Sequence, residues 1–341
     1  MYYVGCDQHK HYSVVTAKDK DGAVMAETKK LYHNERQKFV EYFSSLPKDS
    51  VVLLEANGYE PWLCDLIQET GLNVKLAHPL KTRAIAEEKI MTDKLSSSVL
   101  ADLLRANLVS EAYIASPKIR QERYHMRYRQ GLVHLRTAAK NKIHNLLGRL
   151  GLNLPDITDL FGKSGRAYLK QLRLEHPYQR ALNGYLHLID EFNRLIRQVD
   201  ADIRKQLKNN RCIQLLLTIP GIGMILANHI MAEIGDINRF LSSSKLAGYI
   251  GIVPSLHQSG KVNYSGSITK QGNRYLLWAF VEAAHAAIRR DPYLASVYQK
   301  IRNKKGSHVA IVAVAHKLVI YTYQVLKNNT PYVYKTVSGR A

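Results

Sequence analysis

The chain has 341 residues, enough for two or three domains that each bury a core. Its 49 Lys and Arg against 28 Asp and Glu leave a formal net charge of +21. That excess points to a polyanionic partner, because basic side chains neutralise phosphates and release counterions. Cys6, Cys64 and Cys212 are far apart with no CxxC pair, which excludes a disulfide framework and a cysteine zinc site and favours a reducing cytosol.

The start, Met1-Tyr-Tyr-Val-Gly-Cys-Asp7, lacks a basic stretch followed by an apolar one, so no signal peptide is expected. No apolar run is expected to reach membrane-spanning length. Residues 1–112 read as α/β. Short apolar strands are predicted at Tyr2–Cys6, His11–Ala17, Val51–Leu54 and Asn73–Ala77, with helices over Pro61–Thr70 and from Asp93 to about Leu108. Strands alternating with helices predict a mixed sheet covered by helices.

Residues 113–208 change character. Leu132, Leu135, Ala139, Ile143, Leu146 and Leu150 recur at helical spacing, as do Leu182, Leu186, Ile189, Phe192, Ile196, Val199, Ile203 and Leu207. The Leu154-Pro-Asp156 break between them predicts an antiparallel helical hairpin. Lys118 to Arg149 holds nine Lys and Arg, including Arg123, Arg127 and Arg129, against one acid, Glu122. Such a stretch is either a solvated helix face or one that tracks nucleic acid, and the local bias favours the second. Gly162-Lys-Ser164 is not a P-loop, because position 157 is Ile where that motif requires glycine.

In residues 209–341, Pro220-Gly-Ile-Gly223 makes a tight turn between apolar segments. Gly221 and Gly223 there either expose backbone N–H groups to a DNA phosphate, as in a helix-hairpin-helix, or permit close helix packing. A Ser- and Gly-rich loop follows Gly248-Tyr-Ile-Gly-Ile-Val-Pro254. Helices are predicted over Leu276–Ile288 and Val309–Val325.

Asp7 ends the first predicted strand, Glu55 the third, and Asp93 opens a helix. Carboxylates so placed can converge to hold Mg2+ through hard oxygen ligands and so support phosphoryl transfer. Taken singly, a strand-end Asp is a turn residue and a helix-opening Asp is a cap; the ordered set raises the metal reading. His9 and His11, close behind Asp7, read as surface residues.

Val4-Gly-Cys-Asp7, Leu53-Leu-Glu-Ala-Asn-Gly-Tyr59 and Met91-Thr-Asp-Lys-Leu-Ser96 are followed in order by Ile219-Pro-Gly-Ile-Gly223, Leu246–Pro254, Ser259-Gly260 and Gly272-Asn-Arg274. Across nearly the whole chain these segments resemble the transposases of the IS110/IS1111 insertion-sequence group, which includes the Piv-type DNA invertases. The resemblance implies an α/β plus α architecture: a RuvC-like (RNase H-like) DEDD domain at 1–112, a helical coiled-coil linker at 113–208, and a mainly helical transposase domain with a helix-hairpin-helix at 209–341. It implies that Asp7, Glu55 and Asp93 are three of four Mg2+-holding acids, and that Ser259 is a nucleophile forming a phosphoserine link to DNA. Lys261, Lys270 and Arg274 are candidate phosphate contacts around that serine. Implied partners are element-end and target DNA, a noncoding bridge RNA, and further copies of the chain in a dimer or tetramer. The implied location is a bacterial or archaeal cytoplasm, acting at the nucleoid.

One departure stands out. The fourth acid of the family pattern falls at Ser96. Asp102 is no substitute, since at about 100° per residue it lies about 180° around the helix from Asp93, whereas Ser96 lies within about 60°. Serine is neutral and a weak Mg2+ ligand. Two alternatives to a serine recombinase therefore remain: a hydrolytic junction nuclease in which water attacks, and a nucleic-acid-binding protein with weakened catalysis.

Overall fold

Short valine-rich segments, buried on both faces in the central strands, build the first sheet. The elements are β1 (Tyr3–Gln8), β2 (Tyr12–Lys18), β3 (Lys29–Tyr32), α1 (Arg36–Ser44), β4 (Val51–Glu55), α2 (Pro61–Glu69), β5 (Asn73–Ala77), α3 (Pro79–Ile85), α4 (Asp93–Arg105) and β6 (Glu111–Ala112). The computed structural model describes residues 1–25, 28–85, 92–152, 156–207, 210–259, 262–269 and 271–334. The chain divides into two units, Met1–Ala115 and Ser116–Ala341.

In the first unit the strand order is β3-β2-β1-β4-β5-β6. Strands β1, β4 and β5 run parallel, while β2, β3 and β6 pair antiparallel to their neighbours. Side chains alternate across a strand with period two. Val4, Cys6, Val52 and Leu54 therefore point to one face, where they pack with Phe39 and Phe43 of α1 and Leu63 and Ile67 of α2. Val51 and Leu53 point to the other, against Leu100 and Leu104 of α4. The mixed, helix-covered sheet is the one predicted. Sequence patterning missed β3, whose one buried residue is Leu31, and the two-residue β6, because edges this short bury too little to show a period.

Gly5 sets how closely α4 approaches the sheet. A Cβ on Gly5 would stand 1.9 Å from the Ser97 carbonyl oxygen and 2.6 Å from the Ala101 nitrogen, so only glycine lets the helix backbone rest on β1. Thr16 and Ser97 share a buried hydroxyl–hydroxyl hydrogen bond of 2.7 Å beside this contact. Asp102, further along α4, pairs with Lys18 at the other end of β2 at 2.5 Å.

The second unit is mostly helical. It comprises α5 (Pro117–Arg149), α6 (Lys163–Gln171), α7 (Tyr178–Leu207), α8 (Arg211–Leu216), α9 (Met224–Ile234), a 3-10 turn at Ile237–Arg239, α10 (Ser243–Ile250), β7 (Pro254–Ser259), β8 (Val262–Ile268), α11 (Arg274–Ala287), α12 (Pro292–Lys305) and α13 (Ser307–Asn328). The long helices α5 and α7 lie against each other. Ala139, Ile143 and Leu147 meet Leu182, Leu186 and Ile189 at one end of the pair. Met126 and Leu132 meet Ile196, Val199 and Ile203 at the other, where Ala232 of α9 joins them. Leu135, predicted on this seam, is instead 54% exposed. Its neighbour Arg136 reaches across to Asn193 at 2.9 Å, so a polar contact replaces apolar packing there.

Helix α13 corrects the expectation that no apolar stretch reaches membrane-spanning length: by length and composition it does. Its apolarity serves a core, because Val314, Ala315, Leu318 and Val319 are fully buried in a cluster with Phe280, Ala283 and Leu216. A helix apolar on most sides is one surrounded by others.

Candidate active site: a carboxylate–histidine pocket and a serine hairpin

Period two also decides which side chains meet at the carboxyl end of the sheet. Asp7 follows Cys6 and Glu55 follows Leu54, and Cys6 and Leu54 are the last pair in register between the parallel strands β1 and β4. The two acids thus emerge side by side on the face that α4 covers. The loop after Glu55 is pinned: Asn57 Nδ2 donates to the Gln8 carbonyl at 2.7 Å, and Glu60 accepts the Gly58 N–H at 2.5 Å. Gly58 has φ +93°, a conformation that favours glycine.

Asp93 does not cap its helix. Thr92 is the N-cap, accepting the Leu95 N–H at 3.2 Å, which leaves the Asp93 carboxylate available to the pocket. Its Oδ2 accepts the Tyr12 hydroxyl at 2.9 Å. Its Oδ1 lies 3.3 Å from His9 Nε2, which lies 3.3 Å from Asp7 Oδ2 as well. Ser96 stands beside Asp7 and favours its ionised form, so position 96 faces the pocket as helical geometry predicted.

These surroundings push Asp7 and Glu55 up from their ordinary pKa values. For Asp7 the main cause is burial, opposed by His9 and reinforced by Asp93. For Glu55 it is burial, then the charge on Asp7. The Tyr12 hydroxyl is also pushed up, chiefly because it donates to Asp93. Neighbouring carboxylates that resist ionisation form a site a cation would relieve. Single ligand atoms of Asp7, His9 and Asp93 lie within 4.8 Å of one another, and a divalent ion suits this donor set. Sequence reading set His9 aside and did not single out Tyr12. The available signal was the Asp7-x-His9 spacing, which places both side chains on one face of an extended chain.

The serine lies in the second unit. Ser259 is the last residue of β7, paired by backbone with Val262 at the tip of a hairpin. What read as a loop is therefore a β-ribbon. Lys261 and Lys270 lie outside the described residues. At its base the ribbon is clamped: the Thr269 N–H donates to Val253 O at 3.0 Å and the Asn273 N–H to Tyr249 O at 2.9 Å. A Cβ on Gly272 would stand 2.5 Å from the Gly251 nitrogen, so the two strand exits touch through glycine. Asn273 caps α11 by accepting from Tyr275 and Leu276, and Arg274 begins that helix with its guanidinium 5.3 Å from the Tyr275 ring.

Fully buried Glu233 ties this base to α5. Its carboxylate accepts two bonds from Arg127, at 2.7 and 2.8 Å, and one from Asn273 Nδ2 at 2.7 Å. Burial alone would raise the Glu233 pKa; the Arg127 and Asn273 hydrogen bonds overcome it and hold the carboxyl below its ordinary range. Arg123 donates to the Ala232 and Glu233 carbonyls, and Arg129 to Asp200 at 2.6 Å. The three arginines expected to contact nucleic acid are thus turned to protein acceptors, and offer phosphate only their remaining N–H groups. Gly221, at φ +85°, would set a Cβ 2.1 Å from Ala283 O, so close packing accounts for it. Gly223 is the N-cap of α9.

Comparison with known proteins bears directly on this arrangement. A family model for a DEDD-type IS110 transposase matches residues 4–151, which include Asp7, Glu55, Asp93 and Ser96. A second, described as the transposase IS116/IS110/IS902 family, matches residues 213–299, which include the hairpin. Together they take in more than half of the chain, which is a DNA-processing enzyme by class and belongs to the IS110-type family of insertion-sequence transposases. It is 25% identical to the transposase for insertion sequence element IS1328 of Yersinia enterocolitica, over 96% of this chain and 97% of that one. It is 26% identical to a probable family 20 transposase of Pseudomonas aeruginosa, over 86% and 88%. Against the pilin gene-inverting protein of Moraxella bovis identity is 31%, over 50% of this chain and 56% of that protein.

Proposed function

We propose that the chain cuts and rejoins DNA strands through a covalent phosphoserine intermediate at Ser259, with a Mg2+-dependent acidic pocket formed by Asp7, Glu55 and Asp93. The observation that carries this reading is the convergence of Asp7, Asp93 and Ser96 at the carboxyl end of the sheet in a family member. In this reading the first unit is a RuvC-like domain, α5 and α7 form a coiled-coil linker, and the turn at Gly221 and Gly223 is a helix-hairpin-helix. The functional divisions are 1–112, 113–208 and 209–341.

The metal, when bound, stabilises charge on the attacked phosphate and the departing oxygen. The chain's own residues do the rest. Ser259 Oγ gives up its proton and forms a bond to phosphorus, while the bond from phosphorus to a sugar oxygen breaks and that oxygen takes a proton. The phosphodiester energy is kept in the protein–DNA link, so reversal on a second strand rejoins DNA without an external energy source. Lys261, Lys270 and Arg274, with the exposed Gly223 end of the Gly221–Gly223 turn, hold DNA phosphates. A bridge RNA pairs with donor and target DNA, and base pairing then sets sequence choice while the protein reads backbone and shape. Exchange of two duplexes needs several Ser259 residues, hence a dimer or tetramer acting at the nucleoid in the cytoplasm.

The test mixes the full chain with end-labelled element-junction DNA, the noncoding RNA of the element and Mg2+, and resolves products on a denaturing gel. A protein–DNA adduct that disappears with Ser259→Ala and strengthens with Ser96→Asp supports the reading. Nicked DNA without adduct in any variant replaces it with hydrolysis by water. Binding without cleavage, unchanged by Ser96→Asp, replaces it with a catalytically weakened nucleic-acid-binding protein, the reading that neutral Ser96 favours.

A further inference from the structure

Resting on the reading of Asp7, Glu55 and Asp93 as a metal pocket, we infer that His9 is a nitrogen ligand of that pocket and turns its preference from Mg2+ toward Mn2+. The pocket is short of one acid, because Ser96 contributes a hydroxyl beside Asp7 and no charge. His9 Nε2 stands 3.3 Å from Asp7 Oδ2 and 3.3 Å from Asp93 Oδ1. The atom is shielded from solvent and makes no well-directed hydrogen bond. A shielded nitrogen between two carboxylates is costly unless a proton or a metal ion fills the gap.

The ring is also held in place. His9 and Tyr12 close the turn between β1 and β2, with the His9 N–H donating to Tyr12 O at 2.9 Å. Their rings lie 4.8 Å apart at 35°. The Tyr12 hydroxyl binds Asp93 Oδ2, which leaves Oδ1 on the side of His9, and Lys30 Nζ sits 3.6 Å from the Tyr12 ring centre. Tyr12 thus orients both a carboxylate and an imidazole, the role of outer residues that support metal ligands.

Donor chemistry then selects the ion. Mg2+ takes oxygen ligands, keeps its waters and gains little from an imidazole. First-row metals accept imidazole nitrogen, and Mn2+ combines that with a taste for carboxylates. A fourth aspartate would give an all-oxygen site; two aspartates, a glutamate and a histidine give a mixed one.

The experiment uses the full chain stripped of metal by a chelator and dialysed. Mn2+ is added while the six-line EPR signal of the free ion is followed, and Mg2+ is then titrated in as competitor. Pulsed EPR on the bound Mn2+ reads 14N coupling from a ligating imidazole. The variants are His9→Ala, His9→Asp and Asp7→Asn/Asp93→Asn, each checked for folding by circular dichroism.

We expect the parent chain to show 14N coupling and to favour Mn2+ over Mg2+. His9→Ala should lose the coupling and weaken Mn2+ binding by about tenfold or more, with Mg2+ binding little changed. His9→Asp should bind both ions without coupling and swing the preference toward Mg2+. Mn2+ binding that depends on Asp7 and Asp93 but shows no 14N coupling, or coupling that persists in His9→Ala, overturns the inference and leaves the pocket reading standing. Binding indifferent to Asp7→Asn/Asp93→Asn sinks the pocket reading itself.

Discussion

Replacing Glu233 by alanine should be among the most damaging single changes in the second unit. The side chain is fully buried and accepts three hydrogen bonds, two from Arg127 and one from Asn273, each 2.8 Å or shorter. Removing it strands a partly buried guanidinium and a partly buried amide at once, a loss of about 3–5 kcal/mol for a broken buried ion pair. Glu233→Gln preserves shape and one acceptor oxygen, so about half that loss is expected, in keeping with about 1.5–3 kcal/mol for a charged hydrogen bond. Arg127→Met combined with Glu233→Leu should cost less than the sum of the single changes, because neither charge is then left alone. The assay is urea unfolding of the full chain followed by fluorescence in a Trp62→Phe background, which leaves Trp278 of the second unit as reporter. The folded Glu233 carboxyl is held below its unfolded value, so its stabilisation is complete above the unfolded range and fades as pH falls through the folded one. A Glu233→Ala protein within about 1 kcal/mol of the parent, where surface substitutions fall, would refute the reasoning. Asn273 also caps α11 where the serine ribbon ends, so the same change should slow adduct formation at temperatures where the fold survives.

Further outcomes follow from single contacts. Gly5→Ala should force α4 off β1, costing about 1–3 kcal/mol by overpacking, and weaken metal binding in a calorimetric titration, since Asp93 and Ser96 ride on that helix. Burial pushes the His229 imidazole down to about 4, while the unfolded side chain stays near its usual value. Between those values the unfolded chain binds the extra proton, so stability should fall on acidification from about pH 6.5 to about pH 4, by up to about 3 kcal/mol, and His229→Phe should flatten that part of a stability–pH profile. Asp7→Asn should stabilise the metal-free chain, because burial and the Asp93 charge both oppose an ionised Asp7, and should abolish any rise in melting temperature on adding Mn2+ or Mg2+. Gly221→Ala should destabilise the second unit by adding left-handed strain to a clash with Ala283, which thermal melting would register.

The sequence by itself determined the parts that repeat or bury. The strands through Val52, Leu54, Val74 and Leu76 carry their burial in their patterning, and long apolar periods marked α5 and α7. Strand ends and helical angles, fixed by backbone geometry, offered Asp7, Glu55 and Asp93 as one candidate set, and only the family resemblance added Ser96 to it. Tertiary structure decided which charges meet. Packing through Gly5 brings α4 close enough for Ser96 to stand beside Asp7 and for Tyr12 to take Asp93, which puts His9 between two carboxylates. Likewise the sequence shows that α5 is basic, but only the fold shows that Arg127 meets Glu233 and Arg129 meets Asp200. Hydrophobic period is a local property of the chain, but the partner of a charge is chosen by elements distant in sequence, and no spacing along one helix encodes it.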